Sequence, residues 1–386
     1  MRLINIDTMR MEEFHGSDIP AYFILSHTWD QHGEMSFQEH LWLIDHDEAK
    51  AQGVLSEMTP KQRERAEAKA NFIRSKSGFS KIEKFAALVR DLARRNLNKT
   101  PIEDWSSRSE TVHHIWIDTV CINKESSAEL SEAINSMFAW YQRAVACCAY
   151  MGDCESDADL AKARWFTRGW TLQELLAPRK VIFFSASWIE MGTRQSLART
   201  ISAITRIQPE YLLRQGSFST ASIARRMSWA SNRRTTREED TAYCLLGIFG
   251  INMPLLYGEG SRAFIRLQEE IIKHDNDQTI FCWAWPAFQS PIASSHWGGF
   301  FAPQPSGFAE SGHFRKRRER PRDFQLTNAG LRIEAVVLDC LRETYKLIVF
   351  DATESRPHED HLRLCLRVLV RGERCICFMN GIRILT

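Results

Sequence analysis

The sequence predicts an α/β protein, a parallel sheet carrying a helical insertion and a helical extension, followed by a small β-rich unit at the C-terminal end. Three observations carry this expectation. Four short apolar runs in the first half have strand length and are bounded by polar or turn residues. An amphipathic helix separates the second run from the third, and a strand, helix, strand order implies a parallel sheet. Beyond residue 323 the chain changes to alternating strand patterns.

The four runs are AYFILSH at 21–27, HIWIDTVCI at 114–122, VACCAYMG at 145–152 and KVIFFSA at 180–186. Ser126 with Glu129 reads as a capping box, opening a helix whose Ile134, Met137, Phe138 and Tyr141 share one face. Roughly ninety residues separate the first two strands, too long for a structureless connection. They hold a charged helical stretch at 58–75 and an amphipathic helix with Ile82, Phe85, Ala86, Val89 and Leu92 on one side. After the fourth strand, Thr236 with Glu239 reads as a second capping box on a helix ending at Gly250, and Ser261 as the cap of a helix built on Phe264, Leu267 and Ile271.

From 286 to 323 the composition turns to Pro, Gly, Ser and clustered Arg, as in a linker or long surface loop. In the tail, Leu362, Leu364, Leu366, Val368 and Val370 alternate with mostly polar neighbours, as in a sheet with one buried face.

Composition narrows the function. With 44% hydrophobic residues and 12 tryptophans the chain can bury a sizeable core. Fifty Lys and Arg against 48 Asp and Glu leave +2, which argues against a nucleic-acid partner held by a global basic field. No apolar run approaches the ~18 residues of a membrane span, and the N-terminal residues lack a signal-peptide core, so a cytoplasmic location is expected. Ten cysteines without CxxC pairs read as buried free thiols, and no metal site is expected.

Candidate site residues follow from position and chemistry. Ser26, His27 and Trp29 close the first strand, and in an open parallel sheet ligands bind outside the carboxyl ends of strands. Successive strand side chains face opposite ways, so Ser26 and His27 are no catalytic dyad. Asp118 is an acid inside an apolar run, which burial would penalise unless it reaches solvent, a cation or backbone donors. In RWFTRGWTLQELLAPRK, Arg168 and Trp170 cluster with Glu174, four residues from Trp170 and on the same face if 170–176 is helical. An aromatic beside a carboxylate suits a nucleotide base and its ribose, while a core tryptophan and an ion-paired glutamate are the plain alternative. Arg233, Arg234 and Arg237 either bind phosphate or hold the body together. HEDH at 358–361 reads as a solvated loop, and the basic cluster at 315–322 as a charged linker.

The blocks FILSHTW, WIDTVCINK, RGWTLQELLAP and MSWASNRRTTREEDTAYCLLGIFGINMPLLYGEG, in this order over about 24–260, resemble the fungal heterokaryon-incompatibility (HET) domain. That resemblance implies an effector of vegetative incompatibility that triggers programmed cell death on non-self recognition, here in residues 1–285, with an α/β core over about 20–190 and a helical extension over about 195–275. The region 324–386 resembles the small β domain that often follows. HET domains in turn resemble Toll/interleukin-1 receptor (TIR) domains, which implies a TIR-like, flavodoxin-like sheet. In TIR domains that cleave NAD the catalytic glutamate lies in a WxxxE pattern, and Trp170 to Glu174 has that spacing, with Thr171 where many have cysteine.

Two functions therefore stand at the level of sequence. One is an NAD glycohydrolase with Glu174 as the catalytic carboxylate, NAD being its substrate rather than a bound cofactor, and Ser26, His27, Trp29, Asp118, Arg168 and Trp170 around the ligand. The other is a non-catalytic module that signals by self-association and recruits death partners. Either implies self-association and an upstream recognition protein.

Overall fold

A seven-stranded sheet organises the first part of the chain. Its strands are β1 (Arg2–Asn5), β2 (Met11–Glu13), β3 (Tyr22–His27), β4 (His114–Trp116), β5 (Ala146–Tyr150), β6 (Val181–Phe184) and β7 (Glu190–Thr193), in the spatial order β2-β1-β4-β3-β5-β6-β7. The central four, β4-β3-β5-β6, are mutually parallel, and β2, β1 and β7 add antiparallel at the edges. All six residues of β3 are buried, as expected of a central strand covered on both faces. The computed structural model describes the chain except residues 31–32, 98–111, 284–299, 317–322, 329, 335, 340–344, 355–361, 372–373 and 384–386.

The second apolar run departs from its expected form. Only His114–Trp116 is strand; the chain then turns into a short helix, α4 (Asp118–Cys121), so Asp118 begins a helical turn rather than lying within a strand. The edge strands β1, β2 and β7, three or four residues each, carry too little pattern to be read from sequence.

The insertion folds as three helices, α1 (Phe37–Ala51), α2 (Pro60–Arg74) and α3 (Ser77–Leu97). Full capping boxes open α1 (Ser36 with Glu39) and α2 (Thr59 with Gln62), and Pro60 occupies the first turn of α2. Ile82, Phe85, Ala86 and Val89 of α3 are buried, as their spacing predicts. At the start of α3, Gly78 donates its N–H to the Gly33 carbonyl at 2.8 Å. A Cβ there would lie 2.4 Å from the Met35 nitrogen, so only glycine lets α3 approach this loop. Ahead of β5 runs α5 (Ser127–Arg143), burying Ala133, Ile134, Met137 and Tyr141. Ser126 accepts from the Glu129 N–H, but the Glu129 carboxylate takes Arg2 and the Asn123 N–H instead of closing the box.

The chain divides into two compact units, Met1–Trp165 with Glu174–Leu197, and Phe166–Gln173 with Ala198–Thr386. The division falls inside α6 (Thr171–Leu176). The second unit holds α7 (Ala198–Thr205), α8 (Pro209–Leu212), α9 (Ile223–Ala230), α10 (Asp240–Tyr243), α11 (Leu246–Phe249) and α12 (Arg262–His274). The single helix expected up to Gly250 is thus two short ones; Gly250 does close the second, at φ +68°. Glu239 sits at the N-cap of α10 and spends its carboxylate on the Gly258 and Gly260 N–H groups, so Thr236 and Glu239 form no box. Ser261 is the N-cap residue of α12 without a side-chain cap bond.

In the tail, β9 (Phe324–Thr327) pairs with β10 (Gly330–Ile333), and β11 (Val336–Asp339), β12 (Tyr345–Glu354), β13 (Leu362–Arg371) and β14 (Arg374–Arg383) form an antiparallel sheet joined by β8 (Phe314–Lys316) along β12. Within 286–323, residues 300–316 are described, and Phe301, Ala302, Phe308 and Ser311 are buried. HEDH at 358–361, and residues 317–322 of the basic cluster, lie outside the described residues.

Candidate functional site

Alternation along β3 sends Ser26 and His27 to opposite faces and gives each a different task. Ser26 is buried, accepting from the Trp165 indole N–H at 2.7 Å and donating its own proton to Glu174 Oε2. Glu174 is 7% exposed and Trp165 fully buried. The helix bearing Glu174 is fixed at its C-terminal end by Arg194, also fully buried, whose guanidinium donates to the carbonyls of Leu175 (2.6 Å), Pro178 (3.0 Å) and Arg179 (3.0 Å).

On the other face, His27 Nε2 lies 3.7 Å from Glu34 Oε2 and Nδ1 lies 4.0 Å from Asp118 Oδ1. Asp118 also accepts the Trp29 indole N–H at 2.8 Å, and the Lys124 ammonium sits 3.7 Å over the Trp29 ring. Glu34 takes the Lys81 ammonium and the Asp30 N–H. Burial would raise the Glu34 carboxyl, but His27 and Lys81 outweigh it and hold Glu34 at about 2.

Of these groups, Trp29, Asp30 and Lys81 line a cleft of about 610 Å³, within the usual size of a small-molecule site. Thr28, Trp29 and Asp30 come from the end of β3, and Tyr150, Gly152 and Asp153 from the end of β5; Ser77 and Lys81 of α3 and Arg164 complete the lining. Trp29 is 39% exposed and offers a ring for stacking. Tyr150 stacks on Trp188 at 4.5 Å and bonds the Ala186 carbonyl, which fixes that wall. The lining carries two cations, Lys81 and Arg164, and two acids, Asp30 and Asp153.

The first unit therefore brings Ser26 to Glu174, and His27 and Trp29 to Asp118. Glu174 does not line the cleft; it lies behind β3 against Ser26. Arg168 and Trp170 belong to the second unit. There Arg168 bridges to Arg234, and the Trp170 indole donates to Asp240 at 3.4 Å beside the Tyr257 hydroxyl at 2.9 Å. Burial pushes the Asp240 carboxyl up. Arg233 donates to the Arg168 carbonyl and Thr171 hydroxyl, both at 2.8 Å, a packing role.

Sequence reasoning passed over Glu34, Lys81 and Tyr150. Only Lys81 carried a signal, as a polar position on the amphipathic α3. Four buried thiols are held inactive: burial pushes Cys121 up to about 12, Cys154 up to about 11, and Cys147 and Cys148 further. Among the described residues no cluster could hold a metal ion, and no helix is long and apolar enough to cross a membrane.

Residues 22–164 match the family described as heterokaryon incompatibility protein (HET). This segment is a HET domain. It contains β3, β4 and β5 and every residue lining the cleft. The vegetative incompatibility protein HET-E-1 of Podospora anserina is 49% identical over 172 residues, 42% of this chain and 13% of that relative, so the HET domain matches a small part of a much longer protein. No solved structure matches the chain.

Proposed function

We propose that this chain is an effector of fungal vegetative incompatibility, in which a TIR-like HET domain triggers cell death on non-self recognition and works through the cleft at the ends of β3 and β5. One observation carries the proposal. The parallel strands, counted along the chain, lie in the order 2-1-3-4, the flavodoxin-like order, and the cleft opens at the switch point between the first and third. A dinucleotide such as NAD suits the lining, with Trp29 to stack on a ring and Lys81 and Arg164 to meet phosphates. Self-association and an upstream recognition protein belong to the same proposal.

For NAD cleavage, Glu174 is the carboxylate to stabilise positive charge developing on the ribose. In the chain alone that carboxylate is bonded to Ser26 behind the cleft, so hydrolysis requires it to turn outward on assembly. Its burial favours the second reading, a non-catalytic module that recruits death partners. Nicotinamide release at high protein concentration separates the two. Cleavage by the wild type and its loss in Glu174→Gln support the enzyme, while killing with unchanged NAD and a fully active Glu174→Gln support the module.

A further inference from the structure

His27 ends β3 with its side chain 1% exposed, and neither ring nitrogen has a hydrogen-bond partner among the described residues. The ring lies between two carboxylates from different elements, Glu34 ahead of α1 and Asp118 at the start of α4, at 3.7 and 4.0 Å. A neutral imidazole has one N–H and one lone pair, so it turns a lone pair toward one of the two acids. The imidazolium offers an N–H to both. An approach of about 1 Å on each side would bring both contacts to charge-assisted hydrogen-bond length, about 2.7–2.9 Å.

Each of these acids also holds one wall of the cleft. Asp118 anchors Trp29 through the indole N–H, and Glu34 anchors Lys81 and the Asp30 amide. Among the described residues, the other ionisable groups near the ring act at one remove. Lys81 of α3 reaches it through Glu34, Lys124 through Trp29, and Tyr150, the register neighbour of His27 on β5, commits its hydroxyl to Ala186.

We propose that His27 is a positioning residue that, as the imidazolium, draws Glu34 and Asp118 together and so sets the Trp29 and Lys81 walls of the cleft. Order at the cleft then depends on the charge of this ring. The biological consequence rests on the cleft being the functional site; the device itself is a property of the protein without ligand.

The test uses the full chain, labelled with 15N in its histidine rings and tryptophan indoles and titrated from pH 5 to 8. The histidine 15N shifts report the charge on His27, and hydrogen exchange, corrected for its intrinsic pH dependence, reports protection of the Trp29 indole N–H. The expected result is that this protection falls at least about fivefold as His27 loses its proton, with coincident midpoints, and that the profile is flat in His27→Gln. A His27 neutral throughout, or a Trp29 profile unchanged in His27→Gln, overturns the proposal. If His27→Gln does not fold, the wild-type midpoints alone decide, since non-coincidence is equally fatal. Failure of NAD to bind would count against the ligand assigned to the cleft and leave this result standing.

Discussion

Ser26 and Glu174, 148 residues apart in the chain, share a buried hydrogen bond, and the same serine hydroxyl accepts the Trp165 indole N–H. One small side chain thus links the central strand to the helix that carries the glutamate. Ser26→Ala removes both bonds and is expected to destabilise the fold by about 1–3 kcal/mol, the cost of breaking buried polar contacts. Urea unfolding of the purified variant measures it, and a change below about 0.5 kcal/mol, the range of an ordinary surface substitution, would show that the link is weak.

Arg194 should matter more. Its guanidinium satisfies three carbonyls around the end of α6 with no exposure to solvent. Arg194→Met keeps most of the bulk but strips the donors, and a loss of about 3 kcal/mol or more is expected by the same unfolding measurement.

How much of this was legible beforehand differs between fold and site. Tyr22–His27 and Val181–Phe184 announced themselves because buried parallel strands are apolar on both faces. His114–Trp116 ran on into α4 with only Asp118 and Thr119 interrupting the apolar run, so length misled there. The pair Trp170 and Glu174 was visible as a spacing. Its partners were not, because they are set by tertiary pairing: Trp170 donates to Asp240 in one unit and Glu174 accepts from Ser26 in the other. Lys81 and Glu34 lie 47 residues apart, and nothing in one sequence signals such a pair.

Acid should act through Glu34. Its carboxyl is lowered from 4.5 to about 2 in the folded chain, since His27 and Lys81 more than offset the burial that alone would raise it. A depressed carboxylate contributes stability that is fully present above its unfolded value and is lost as pH falls toward the folded value, here from about 4.5 to about 2. Glu34→Gln is therefore expected to lose on the order of 2–3 kcal/mol at neutral pH. It should also show a flatter decline than wild type when unfolding is measured at pH 5, 4 and 3.

We also propose that the domain boundary lies within 286–323, where turn-forming residues and arginines concentrate. Limited proteolysis is expected to cut first within 286–323, away from the buried Phe301, Ala302 and Phe308. First cuts inside 125–270 would refute the division.

The central claim is that the HET domain kills through its cleft, and Trp29 tests it most directly. The ring is 39% exposed, with its indole N–H on Asp118 and the Lys124 ammonium over its face, both contacts at the surface, so Trp29→Ala should melt close to wild type. The measurement is viability of fungal cells after induced expression of wild type or Trp29→Ala at matched protein levels. The account predicts that wild type kills and that the folded variant is at least about tenfold less lethal, as expected if a stacking contact of about 1–3 kcal/mol is lost. Undiminished killing by a folded Trp29→Ala would contradict it.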